Sequence, residues 1–301
     1  MEKNSPFRRG YVSIIGRPNV GKSTLMNQIL GQKLSITSRK PQTTRHRILG
    51  IKTNESCQSI WLDTPGLNFD SKRTMNRYMN RTAAGAMTGV DLVVFVVEAG
   101  VWTSSDESVR ERVAETAEEG RVPAILVVNK VDKIGDKARL LPFLEQCGRE
   151  GSYREIVPLS ARRGNNVARL EALVEKYLPE GEALFPADQL TDRSERFFAS
   201  EMIREKLTRI LGQELPYRLT VQIEQWSDKP ALLSIDAVIW VERAGQKAIV
   251  IGKQGSMLKT IGTQAREDME TFFGKKVFLR LWTRIRAGWS DDDAMLRTVL
   301  E

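Results

Sequence analysis

A chain of 301 residues with 41% apolar side chains is long enough to bury two cores, and its length suits two domains. It contains no run of 18 apolar residues, and the N-terminal MEKNSPFRRG lacks an apolar core; this argues against a span or secretory signal and for a cytoplasmic protein. The net charge of +8 favours an anionic partner, while Cys57 and Cys147 lack the spacing of a metal site and are read as free thiols.

In chain order, apolar runs occur at YVSII (11–15), SIWLD (59–63), LVVFVV (92–97), AILVVN (124–129) and IVPLS (156–160). Helix-like segments at 74–87, 106–119 and 136–148 separate the later runs, and NVARLEALVEKYL (166–178) closes the series. Buried parallel strands alternating with helices predict a doubly wound α/β domain over residues 1–178. Residues 179–193, PEGEALFPADQLTDR, carry two prolines and no periodicity, and read as a linker. A smaller α+β domain follows over 194–301: a helix over 195–211, strands at YRLTVQIEQW and ALLSIDAVIWVE around the turn SDKP, then IVIGKQGSMLKTIG and a last strand, KVFLRLWTRIR.

Charge is unevenly spread. Residues 243–286 hold ten Lys/Arg against three acids, and 32–53 hold six basic residues and no acid. Because ordinary solvated faces are mixed in sign, such one-sided stretches favour a phosphate-bearing partner.

The most specific motif is GRPNVGKST, which matches G-x-x-x-x-G-K-[S/T] and lies between a strand and the helix-like TLMNQIL. Gly16, Asn19, Val20, Gly21, Lys22, Ser23 and Thr24 form the expected phosphate cradle, where backbone N–H groups and a helix N-terminus meet phosphate oxygens. Lys22 would reach the β- and γ-phosphates and Ser23 would ligate Mg²⁺. NKVD (129–132) ends the strand AILVV, on the ligand side of an α/β sheet. The Asp132 carboxylate would accept hydrogen bonds from guanine N1–H and its amino group, which adenine does not offer, so the nucleotide is read as GTP. Asn129 would hold the other edge of the base or a neighbouring loop, Lys130 would lie along its face, and Ser160 and Ala161 of SAR would complete the pocket with backbone N–H groups. In DTPG, Asp63 is placed to support Mg²⁺ through water and the Gly66 N–H to sense the γ-phosphate. Thr44, within KPQTTRHR, is the expected second protein ligand of Mg²⁺, with Thr43 as fallback; Lys22 and Thr44 are the residues assigned to catalysis.

Taken together, GRPNVGKST, KPQTTRHR, DTPGL, NKVD and SAR resemble the translation-factor-related GTPases. TDR (191–193), REK (204–206), ELPY (214–217) and IGKQGSMLKTIG extend the resemblance to the Era GTPase family over nearly the whole chain. The resemblance implies a P-loop GTPase domain followed by a type II KH domain, working with GTP and GDP as a monomer. It further implies binding to small-subunit ribosomal RNA near its 3′ end and assistance to assembly of that subunit. Its KH-type G-x-x-G loop is GKQG, so Gly252, Lys253, Gln254, Gly255 and Lys259 on the following helix are the expected RNA contacts. Asn19 occupies the position that, in potassium-activated relatives lacking a catalytic glutamine, ligates a monovalent cation, which adds K⁺ beside Mg²⁺ as an expected cofactor.

Several residues resist a functional reading. Leu67 follows DTPG where Ras-like enzymes carry a water-orienting glutamine, which predicts slow intrinsic turnover of roughly 10⁻⁴ to 10⁻² s⁻¹. Trp226, Trp240 and Trp282 lie in strand patterns and are expected in the core; Asp291, Asp292 and Asp293 read as a helix start, and His46 carries no catalytic role. The competing functions are a related GTPase acting in tRNA modification or large-subunit assembly, an RNA-binding module with a vestigial nucleotide fold, and a protein peripheral to an anionic membrane surface.

Overall fold

The structure, a computed structural model, describes residues 6–38, 40, 43–66, 85, 88–120, 122–136, 138, 140–212 and 215–289. They divide into two compact units, the first within 6–37 and 44–192, the second comprising 193–289 with Ser38, Lys40 and Thr43. The expected helix over 74–87, Leu67 and Asp291 to Asp293 lie outside the described residues, apart from Gly85.

Unit 1 is built on β1 (Arg8–Ile15), β2 (Ile48–Thr53), β3 (Cys57–Asp63), β4 (Leu92–Glu98), β5 (Ala124–Asn129) and β6 (Glu155–Pro158), in the order β2-β3-β1-β4-β5-β6. Its helices are α1 (Lys22–Leu30), α2 (Ser104–Gly120), α3 (Leu140–Glu150) and α4 (Val167–Tyr177). The central strands are near-continuous apolar runs, as strands covered on both faces must be: Val12, Ile14 and Val94 to Val97 are wholly buried.

Two sequence expectations are corrected here. The sheet is mixed, because ILGIKT forms β2, antiparallel to β3. The hairpin turns on Asn54, whose Oδ1 accepts from the backbone N–H groups of Ser56 at 2.9 Å and Cys57 at 2.6 Å, an Asx-type turn that substitutes side chain for backbone. Secondly, the supposed linker is strapped along unit 1. Arg9 N–H donates to Pro179 O at 2.9 Å, Gly181 N–H to Phe7 O at 3.0 Å and Ile51 N–H to Leu190 O at 2.8 Å. The last of these covers the open edge of β2, an edge that sheets otherwise leave available for unwanted pairing. The wholly buried Gln58 of β3 fastens the middle of the strap: its Oε1 accepts from Leu184 N–H at 2.7 Å and Phe185 N–H at 2.9 Å, and its Nε2 donates to Phe185 O at 2.8 Å. Absent periodicity therefore meant an irregular but fixed segment.

Unit 2 runs α5 (Glu195–Ile210), β7 (Leu219–Lys229), β8 (Leu232–Val241), α6 (Ala244–Ile251), α7 (Ser256–Phe273) and β9 (Lys276–Ile285), an αββααβ order. Its sheet is β7-β8-β9, with β7 and β8 antiparallel and β8 and β9 parallel. The strand β7 continues through the expected turn as far as Lys229. One sheet face, with Leu219, Ile235, Ala237 and Ile239, is buried with Phe198, Met202 and Leu207 of α5 and Ile261, Ala265 and Met269 of α7. Of the three tryptophans expected in the core, Trp282 is 38% exposed and Trp226 and Trp240 are half-buried. The period of two explains Trp282: Phe278, Arg280, Trp282 and Arg284 all point to the outer face of β9, where Arg280 sits 5.5 Å from the Trp282 ring. Wholly buried tryptophans are instead Trp61 and Trp289.

Replacing Gln58 with Ala would take from the Leu184 and Phe185 backbone groups the side-chain partner that holds them on the inner, partly covered side of the strap. We expect a loss of about 3 kcal/mol in urea unfolding of the full chain, at roughly 1 to 3 kcal/mol per orphaned group, and new proteolytic cleavage within residues 179–192.

Candidate functional site

The strand β1 ends at Ile15 and the chain turns through GRPNVGKST into α1. Gly21, at φ 107°, has no room for a side chain, since a Cβ there would stand 2.3 Å from Asn129 Nδ2. Gly16 and Asn19 also have positive φ, of 150° and 65°, so the loop curls tightly around its carboxyl-terminal helix start. Val20 is wholly buried and presents only its backbone, and Thr24 lies in the first turn of α1.

Lys22 is buried, its Nζ donating to Gly16 O at 2.8 Å and Arg17 O at 2.9 Å. Burial pushes this ammonium down to about 8, against the attraction of Asp63. The next residue, Ser23, has its hydroxyl 2.8 Å from the Thr44 hydroxyl, and Thr44 Oγ1 lies 3.5 Å from Asp63 Oδ2. Three residues expected around Mg²⁺ from separate motifs thus converge, whereas the fallback Thr43 hydrogen-bonds Ser38 Oγ at 2.6 Å and Lys40 O at 2.7 Å. Burial also holds the Asp63 carboxyl above the usual carboxylate range, against nearby Ser23 and Lys22, and its Oδ1 has no hydrogen-bond partner among the described residues. An orphaned, buried carboxylate oxygen beside two hydroxyls is a donor set that fits a hard divalent cation with bound water. Thr64 Oγ1 ties DTPG to Ile14 O at 3.0 Å, and the backbone of Gly66 lies against Pro18 of the phosphate loop.

At the other end, Asn129 is buried and its amide joins three segments. Its Nδ2 donates to Val20 O at 2.8 Å, and its Oδ1 accepts from Lys130 N–H at 2.7 Å and Ala161 N–H at 2.9 Å. These bonds are the loop-holding arrangement, one of the two roles expected of Asn129, and they bring the Ala161 backbone N–H to the same place as the Asn129 amide. Asp132 Oδ1 accepts from Ser160 Oγ at 2.6 Å, a bond that holds the Asp132 carboxyl below its usual range and keeps it anionic. The sequence reading missed Arg17 and Glu98. Arg17 sits at a variable position of its motif, and Glu98 is the acid that ends the apolar run LVVFVV, the one signal that would have found it.

In unit 2 the loop Lys253–Gly255 is a tight turn joining α6 to α7. Gly252, at φ 72°, admits the close approach of Met257, because a Cβ would lie 2.6 Å from Met257 Cβ. Much of the basic stretch is internally neutralised: Lys275 pairs with Asp228, Arg280 with Asp236, Arg284 with Glu224 and Arg266 with Glu270. Lys253 and Lys259 are exposed and have no acidic partner among the described residues, so GKQG and the helix after it carry charge available to an external anion. Gln254, at φ 52°, is exposed beside them. The REK residues are structural, with Arg204 and Glu201 paired at 2.6 Å in the interior and Lys206 bonded to Asp268 at 2.7 Å. His46, given no role, is buried.

A phosphate loop, a two-hydroxyl and carboxylate cluster and an anionic base-reading loop on a six-stranded sheet, followed by an αββααβ unit with an exposed G-x-x-G turn, define a P-loop GTPase carrying a KH domain. Family models agree, matching a 50S ribosome-binding GTPase at residues 11–130 and a KH domain at 214–290. GTPase Era of Pseudomonas putida (strain W619) is 52% identical over 299 residues, spanning 99% of this chain and 98% of that protein. Two solved structures match with TM-scores of 0.92: Aquifex aeolicus Era bound to GDP and AlF4⁻, at 37% identity over 97% of this chain and 99% of that one, and an Era complex with MgGDPNP and nucleotides 1506–1542 of 16S ribosomal RNA, at 38% identity over 97% and 98%. The chain belongs to the GTPase Era family.

The depressed Lys22 proton affinity has a signed consequence. The charged ammonium is the phosphate-binding form, and a bound nucleotide restores its proton. Affinity for GTP should therefore be level below pH 8 and fall as pH rises above about 8, approaching tenfold per unit. Titrations with a fluorescent guanine nucleotide between pH 7 and 9 check this, and Lys22→Arg, which stays charged, should give a flat profile.

Proposed function

We propose that this chain is a slow GTP-hydrolysing switch that binds small-subunit ribosomal RNA through its KH domain and assists assembly of that subunit in the cytoplasm. The observation that carries the reading is the near full-length likeness, at a TM-score of 0.92, to an Era holding both MgGDPNP and a 16S ribosomal RNA segment. The 50S description attaches to residues 11–130 alone, whereas the relatives matching both halves are Era proteins.

The residues divide the work. Lys22 and the phosphate-loop N–H groups bind and neutralise the phosphates; Asp132 selects guanine, and Asn129 holds the pocket's loops together. Ser23 and Thr44 would hold Mg²⁺, with Asp63 behind them, and the ion would supply charge stabilisation at the phosphates. The sequence places Leu67, not a glutamine, directly after DTPG, which fits a timer better than a fast hydrolase.

The RNA assignment is tested by replacing Lys253 and Gln254 with Asp in the full chain. Two carboxylates facing a phosphate backbone should abolish binding of a small-subunit 3′-terminal RNA fragment in gel-shift titrations, while RNA-free GTP turnover stays within about twofold of the parent. Undiminished RNA binding would remove GKQG from the interface.

A monovalent cation is the second expected cofactor. Asn19, held at φ 65° in the phosphate loop, is its proposed ligand, where an added charge would stand in for a missing arginine finger. GTP turnover should be faster in K⁺ than in Na⁺ at equal ionic strength, and Asn19→Ala should erase the difference; equal rates in the parent would retire the ion.

A further inference from the structure

Beside the nucleotide motifs, at the carboxyl ends of β4 and β5, three cations converge on one carboxylate. Glu98, 20% exposed, ends β4 in register with Asn129 at the end of β5. Its Oε2 accepts from Lys130 Nζ at 2.6 Å and lies 3.6 Å from Arg17 Nη2, and its Oε1 accepts from Lys133 Nζ at 3.3 Å. Arg17 is anchored in turn, its Nε donating to the wholly buried Asp106 Oδ2 at 2.9 Å, and that same oxygen accepts from Thr103 N–H at 3.0 Å and Thr103 Oγ1 at 2.7 Å at the start of α2.

The topology makes this place meaningful. Chain connections leave β1 toward β3 and leave β4 toward β5, so the sheet's switch point lies between β1 and β4. Open α/β sheets bind ligands there. Arg17 belongs to the loop after β1 and Lys130 to the loop after β5, so Glu98 stands between the segment that meets phosphate and the segment that meets the base. Partial burial works against the charge on Glu98, but Lys130 and Lys133 outweigh it and keep the carboxyl below its usual range, hence ionised at neutral pH. Removing that charge leaves three like-charged side chains without their common counter-ion. The long Lys130 stem, free to rotate about four bonds, then loses the contact that fixes its direction.

We propose that Glu98 is a positioning residue for the guanine nucleotide, holding Lys130 along the face of the base. It acts through Lys130 and makes no contact with the nucleotide itself. The inference rests on the reading of NKVD as the guanine-recognition loop.

The experiment is a double-mutant cycle on the full chain, with affinities for GTP and GDP measured for the parent, Glu98→Gln, Lys130→Met and the double variant. Glu98→Gln should weaken GTP and GDP equally, by about tenfold, since the base is common to both. Lys130→Met should weaken both at least as much, and adding Glu98→Gln to it should cost less than about a further twofold, the non-additivity of residues acting in series. The effect should fall on KM, with kcat at saturating GTP within about twofold of the parent. A purely structural role would lower the nucleotide-free unfolding temperature of Glu98→Gln and give additive losses in the cycle. Under the proposal both Glu98→Gln and Glu98→Asp, which keeps the charge one carbon short, keep the parent's unfolding temperature, and neither keeps its affinity. Additive losses, unchanged affinity in Glu98→Gln, or a loss for GTP well beyond that for GDP would overturn the proposal, the last assigning Glu98 to Arg17 and the phosphates. If Lys130→Met itself binds GTP normally, the guanine-loop reading fails first and the Glu98 role falls with it.

Discussion

One buried amide holds the nucleotide site together. Asn129 donates to the Val20 carbonyl and accepts from the Ala161 N–H, so loops that begin at the ends of β1, β5 and β6 are fastened to a single side chain. Those loops carry the GRPNVGKST motif, the Asp132 carboxylate and its Ser160 partner. Loops this irregular would otherwise expose unpaired backbone groups and move independently. A buried amide, with donors on one side and an acceptor on the other, satisfies both kinds of neighbour at once. Its position at the last residue of a fully buried strand makes the geometry stiff.

Electrostatics at the site follows from burial. Lys22 and Asp63 are each pushed toward neutrality by desolvation, and each attracts the other's charge. Such a pair is poorly compensated while alone and becomes favourable when triphosphate and a divalent cation arrive, because each new charge finds a buried opposite already in place. Around the rim, by contrast, charges are satisfied within the protein: Glu98 gathers Lys130 and Lys133, and Asp132 is tied to Ser160. The KH unit repeats this division. Several of its arginines and lysines are paired across the sheet or along helices, while Lys253 and Lys259, exposed in and after GKQG, are open to an external anion.

Much of this was written in the sequence because it depends on local chemistry. A tight glycine turn between a strand and a helix, a lysine and serine at fixed spacing, and strands apolar enough to be buried on both faces all act over a few residues, so GRPNVGKST, DTPG, NKVD and five of the six strands of unit 1 were legible as text. Most of the second unit was legible for the same reason, in its opening helix, its alternating strands and the helix after GKQG, but the short α6 over Ala244–Ile251 was not. Tertiary structure decided whatever depends on a distant partner. ILGIKT became a strand because β3 and the strap flank it, and residues 179–192 became fixed because the Gln58 amide holds their backbone. Trp282 faces outward because register, not hydrophobicity, sets which way a strand residue points. Glu98 and Arg17 meet because neighbouring strands bring their ends together across 81 residues of chain, a separation over which no sequence pattern fixes a distance.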